Sequence, residues 1–178
     1  MRAPIPVKTL LAMAIMGSAW APCALAQVVG ESGPNIKLFA SSKDVQALIE
    51  KVKTERKEGQ PLVSAPILAL APYRAMLEYR PAKAPAALHE TEAEMMYVIE
   101  GAGTIVTGGK LVDEKRTNAE NLSGTDISGG SAQTIIKGDF LIVPQSTPHQ
   151  IAPGDGAPIV LMTLHVPRKS EGAATPNR

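Results

Sequence analysis

The chain has 178 residues, 18 Lys and Arg against 17 Asp and Glu, and 44% hydrophobic residues. That is enough chain to close one hydrophobic core, too apolar for a disordered chain, and too evenly charged for nucleic acid, which calls for a basic stripe. No apolar run reaches the roughly 18–20 residues of a membrane span, and a single Cys excludes an internal disulfide or a cysteine-built zinc or iron–sulfur site.

Residues 1–26 have the layout of a secretory signal peptide. Arg2 and Lys8 form a basic start, Leu10 to about Ala19 an apolar middle, and Ala24-Leu25-Ala26 a small-residue exit. Cleavage after Ala26 predicts a periplasmic or secreted protein. It also removes Trp20 and Cys23, so the mature chain has neither tryptophan nor thiol, which suits an oxidising compartment.

Residues 27–64 read as an N-terminal arm carrying one amphipathic helix. Ser41 or Ser42 caps it, Asp44 lies in its first turn, and Val45, Leu48, Ile49 and Val52 make a single stripe on a helix reaching about Glu58. From there the period changes to two. Pro66–Ala71, Tyr73–Arg80, Met95–Glu100, Gly103–Thr107, Lys110–Val112, Thr134–Lys137, Phe140–Val143 and Ile159–Val166 read as short strands punctuated by Gly and Pro. Such a pattern predicts a closed or sandwiched β architecture over 65–168. Asp113–Ser131 is polar and glycine-bearing and reads as a long loop over the barrel mouth; 169–178 reads as a disordered tail. Along Tyr73–Arg80, alternation separates Tyr73, Ala75, Leu77 and Tyr79 from Arg74, Met76, Glu78 and Arg80 without saying which set faces in.

Chemistry concentrates in two segments, Leu88-His89-Glu90-Thr91-Glu92-Ala93-Glu94, which leads into a strand, and Gly138 to His149. They hold two of the three histidines, and imidazole with carboxylate inside a small barrel suits Fe, Mn, Zn, Ni or Cu. Glu94 and Gly101 form E-x6-G, His89 precedes Glu94, and Gly138, Pro144 and His149 fit G-x5-P-x-G-x2-H with Ser146 at its second glycine. These segments resemble the two signature motifs of the cupin superfamily.

The resemblance implies an all-β fold, a single double-stranded β-helix or jelly-roll barrel, with the helix as an N-terminal addition. It implies one divalent metal held by His89, Glu94 and His149, a 2-His-1-carboxylate set, because the family's first histidine falls on Ala87 and its closing asparagine on Pro153. Small organic substrates, oxygenase, isomerase or lyase chemistry, and a homodimer go with it; the alternative is a non-catalytic binding or sensing cupin. Met96 and Val98 share the Glu94 face by alternation and are expected as pocket wall. His165 and Glu90 are the candidate proton acceptors, with His165 otherwise a fourth ligand or a hydrogen-bonded strand-end residue.

Two registers remain open on the first motif. His89 and Glu94 are five residues apart and converge only across a turn or bulge; with a shorter spacer, Leu88 and Glu90 take the histidine positions and His89 faces out.

Overall fold

The computed structural model describes residues 36–167; the expected signal peptide and the tail from Lys169 lie outside the described residues. Helix α1, Ser42–Glu55, starts where Ser41 supplies its cap. Ser41 Oγ accepts from the Asp44 amide at 3.2 Å, and Asp44 Oδ2 accepts from the Ser41 amide at 2.8 Å, so two otherwise orphaned donors are satisfied reciprocally. The helix stops at Glu55 rather than Glu58 because Arg56 is already extended. Its stripe is one face laid on the barrel: Ile49 and Val52 are buried with Ile67, Ala75, Leu77 and Val160. Burial of each large aliphatic side chain there contributes roughly 1.5–3 kcal/mol.

The strands are β1 Val63–Leu70, β2 Tyr73–Arg80, β3 Ala86–His89, β4 Glu92–Glu100, β5 Ala102–Thr107, β6 Lys110–Val112, β7 Lys115–Arg116, β8 Asn121–Gly124, β9 Asp126–Ser128, β10 Ser131–Ile136, β11 Phe140–Val143, β12 His149–Pro153 and β13 Ile159–Pro167. A five-stranded sheet has the order β1-β2-β13-β4-β11, a six-stranded sheet β10-β5-β12-β3-β8-β7, and β6 pairs with β9. The architecture is the expected antiparallel jelly roll. At the glycine that closes the first motif, Gly101 takes φ 82°, and a Cβ there would run into the Pro158 carbonyl oxygen; only glycine fits.

Three readings are corrected. The expected loop Asp113–Ser131 is about half strand, since β7, β8 and β9 fall inside it. Its side chains are polar because β7 and β8 form the outer edge of their sheet, and such residues hide a strand period. Thr117 and, on β8, Asn121, Leu122 and Ser123 line the barrel cavity. The strands β3 and β12 are also additional, being too short and alanine- or proline-bearing to show a period; each gains its order from partners, β12 lying between β5 and β3.

The third correction concerns Met96 and Val98. Both do share the inward face of β4 with Glu94, but they are fully buried in the core with Ile105, Ile135, Val143, Ile151, Ile159 and Leu161. They form packed floor beneath the site, not wall of its cavity. The barrel is thus apolar at one end and polar at the other. On β2 the polar set turns inward: Glu78 and Arg80 line the cavity, while Ala75, Leu77 and Tyr79 pack toward α1.

Candidate metal centre

Four strands bring the site together. His89 ends β3, Glu94 lies on β4, His149 begins β12, and His165 lies on β13 directly across the ladder from Glu94. The turn needed between His89 and Glu94 is present: β3 ends at His89, Glu90 and Thr91 bend, and β4 begins at Glu92. The Ser146 amide donates to the His89 carbonyl at 2.6 Å, pinning this bend to the loop that delivers His149. Ser146 does so at φ 55°, in the left-handed region that explains why the motif ordinarily has glycine there.

This geometry decides the register. His89 and Ala87 face in, with Ala87 at the place of the family's first histidine. Glu90 faces out and is corrected as a candidate proton acceptor. Its two oxygens accept from Arg116 Nη2 at 2.9 Å and Nη1 at 2.8 Å, and that pairing holds its carboxyl below the usual carboxylate range.

Glu94, only 3% exposed, is the hub. Its Oε2 lies 2.9 Å from His149 Nε2 and 3.4 Å from His89 Nε2, and its Oε1 lies 3.8 Å from His165 Nε2. Burial pushes its carboxyl up, but hydrogen bonds from His149 and His89, together with the charges of His149 and His165, outweigh that and hold it well below the usual range. Glu94 is therefore an ionised carboxylate in a dry setting. For His89, burial alone would lower the pKa; hydrogen bonding to Glu94 and Asn121 turns the net shift upward.

The surroundings orient the rings. His149 Nδ1 donates to the Thr147 carbonyl at 3.1 Å, and a carbonyl can only accept. His89 Nδ1 meets Asn121 Oδ1 at 2.6 Å. With both Nδ1 atoms engaged, both Nε2 atoms turn to Glu94, where in the neutral ring each carries a lone pair. Ligand atoms of His89, Glu94 and His165 lie within 4.8 Å of one another. An anionic oxygen donor ringed by oriented imidazoles fits a divalent cation, which takes up lone pairs that otherwise bind protons. His165 thus joins the cluster; its Nδ1 lies 3.2 Å from Glu92 Oε2 but out of line for a hydrogen bond.

A cavity of about 400 Å³ opens on this cluster and also takes in the ion pair of Glu78 and Arg80. A second hollow of about 330 Å³, bounded by Arg74, Glu92 and Thr163, shares Glu78, His89, Asn121 and His165 with it. A larger hollow of about 760 Å³ at the β1–β2 hairpin contains none of the site residues. Asn121, Glu78 and Arg80 line the cavity although the motifs do not mark them; the charged alternation on β2 was the one signal for Glu78 and Arg80.

No family model matches the sequence, and no curated protein matches it. Solved structures do. A protein with a double-stranded β-helix domain from Klebsiella pneumoniae superposes with a TM-score of 0.50 at 12% identity, covering 74% of this chain and 90% of that one. A cupin superfamily protein from Desulfitobacterium hafniense gives 0.48 at 12% identity, over 75% of this chain and 99% of that one. The cupin domain of Cnp3 from Schizosaccharomyces pombe gives 0.47 at 14% identity, over 61% of this chain and 63% of that one. By fold, the chain is a double-stranded β-helix. Among the described residues, no helix is long and apolar enough to cross a membrane.

Proposed function

We propose that this protein is an exported metal-dependent cupin acting on a small organic substrate. The observation that carries the reading is the convergence of three imidazoles on the buried, ionised Glu94 inside a cavity open to small molecules. His89, Glu94 and His149 would hold one divalent ion, Fe, Mn, Zn, Ni or Cu, with His165 beside them as fourth ligand or proton acceptor. Such an ion supplies Lewis-acid or oxygen-activating chemistry when bound. Asn121 and the Thr147 carbonyl hold the rings in orientation, Met96 and Val98 close the floor against water, and His165 is the inward group with a nitrogen to receive a proton. The reaction would be of oxygenase, isomerase or lyase type.

Metal analysis of the exported protein tests this. About one equivalent of a transition metal, lost in Glu94→Ala and in His149→Ala, is expected; retention in both variants overturns the assignment. The intact mass of the exported material should begin at Gln27, and a mass that retains Met1 overturns the export reading. The second reading, a binding or sensing cupin without turnover, is favoured by Ala87, which puts no imidazole at the first position of the motif. It predicts ligand-dependent thermal stabilisation and no product. The homodimer belongs to the same reading and is supported by the outer face of β4 and β11, where Phe140 is 69% and Ile142 60% exposed. Sedimentation equilibrium should give a dimer that Phe140→Lys dissociates; a monomeric wild type overturns it.

A further inference from the structure

On the inner face of the six-stranded sheet, Ala87 is the ladder partner of His149 on one side and of Ser123 on the other. Cross-strand neighbours on one face stand about 4.5–5.5 Å apart at Cβ, so His149, Ala87 and Ser123 form a row. A methyl group fills its middle place, and the space over it belongs to the cavity of about 400 Å³. That cavity also receives Arg80, which is 8% exposed. Arg80 donates from Nε at 2.9 Å and from Nη2 at 2.7 Å, both to the same oxygen of Glu78. Among the described residues, no acceptor meets its Nη1.

The charges around this space select a ligand. In the cavity, Glu78 and Arg80 cancel. A divalent ion on Glu94 would leave one positive charge unanswered. The adjoining second hollow adds one charge of each sign, Arg74 and Glu92. An unbalanced charge in a partly buried site is costly unless a counter-charge arrives with its hydrogen bonds. An anionic group at Arg80 Nη1 would supply it, and a charged pair of this kind is shorter and stronger than a neutral one. The Ser123 hydroxyl, beside Ala87, offers a further donor.

We propose that the space over Ala87 receives a small organic acid, its carboxylate on Arg80 and its other end toward the imidazole cluster. This rests on the metal reading above and names the substrate class of the same site. Ala87 and Arg80 would then set specificity together, one by making room and the other by charge.

The experiment uses the exported protein loaded with cobalt(II), whose visible absorption reports on its ligands, and two probes of equal shape, glycolate and its neutral amide glycolamide. Cobalt stoichiometry is measured first. Glycolate should shift the cobalt absorption and raise the melting temperature, and glycolamide should do neither. Arg80→Met should weaken glycolate roughly tenfold or more with cobalt stoichiometry unchanged. Because that variant strands Glu78, the double variant Glu78→Gln/Arg80→Met removes both charges and should show the same loss. Ala87→His should keep cobalt and abolish the glycolate response. A wild type that binds no cobalt overturns the metal reading and this inference with it. A cobalt-loaded wild type that is silent to glycolate, or answers both probes equally, overturns this inference alone. So does unchanged glycolate binding in the Arg80 variants or in Ala87→His.

Discussion

His165 stands directly across the ladder from Glu94, and its Nε2 lies 3.8 Å from Glu94 Oε1. The pairing places an imidazole from the last strand against the hub of the site, edge to face with His89 at a ring-centroid distance of 4.5 Å. Where the cupin pattern has its third imidazole two residues before His89, this chain has Ala87. The number of imidazoles around Glu94 is therefore kept while their distribution changes, and the space released lies on the opposite wall.

If His165 is a ligand, His165→Ala should lower metal affinity by roughly 10–100-fold while leaving full loading at high metal concentration, whereas Glu94→Ala removes binding outright. These factors are of the size seen when a supporting group rather than the whole anionic donor is lost. Competition against a chromophoric chelator reads both. Equal affinity in His165→Ala and wild type would leave His165 only the proton-accepting role.

Asn121 should matter in the same assay although it is not placed to bind metal. Its Oδ1 fixes the His89 ring through the 2.6 Å contact at Nδ1. Asn121→Ala frees the ring to turn, and a fall of roughly 10–100-fold in affinity is expected; Asn121→Asp should restore much of it by accepting the same hydrogen. No loss in Asn121→Ala would show that packing alone orients the ring.

The pH dependence of stability should change sign with metal. His89 binds its proton more tightly in the folded protein than its ordinary value of 6.5. Its contribution is therefore fully present below that value and fades as pH rises through the higher folded one. Glu94 is shifted the other way, so its contribution is present above 4.5 and is lost only in strong acid. Above about pH 6.5 the chelated protein should lose stability as pH rises through the His89 transition. The metal-loaded protein should gain it, since ligand protons are released on binding. Melting curves with and without chelator read the two slopes, and His89→Asn should flatten the chelated one. Parallel slopes in both forms count against a metal at these rings.

Met96 separates floor from wall. It is fully buried in the core beneath the site, so Met96→Ala should cost about 2–5 kcal/mol in chemical denaturation while the folded protein still loads metal. Glu90→Ala makes the opposite control: it breaks an exposed pair with Arg116 and should alter neither metal stoichiometry nor the ligand response. A loss of metal in Glu90→Ala would return Glu90 to the site.

The barrel was legible because its long strands keep a period of two, and because Glu94, Gly101, Gly138, Pro144 and His149 stand at motif spacing. The convergence of His89 with Glu94 was legible only as a condition, that a turn intervene; Glu90 and Thr91 meet it. What could not be read were strands too short to have a period, such as Ala86–His89, and the direction of β2, where charged and apolar sets alternate equally well on either face. Asn121 and Arg80 were hidden for the same reason. Their partners lie across sheets, and no local pattern records which strand a residue will face. Met96 and Val98 show the complementary limit: alternation gives the face, whereas depth along the barrel decides between floor and cavity.

The strand β13 is the last in the described chain, yet it occupies the middle of its sheet, between β2 and β4. Neither neighbour is complete until the final segment has threaded into place, and His165 arrives with it. The barrel consequently closes late, through contacts between distant parts of the chain, which is the slow kind of folding. A cation gripped by all four strands would then act mostly after the rate-limiting crossing. Its effect should appear as a slower unfolding limb and a longer native lifetime, with the refolding limb almost unmoved.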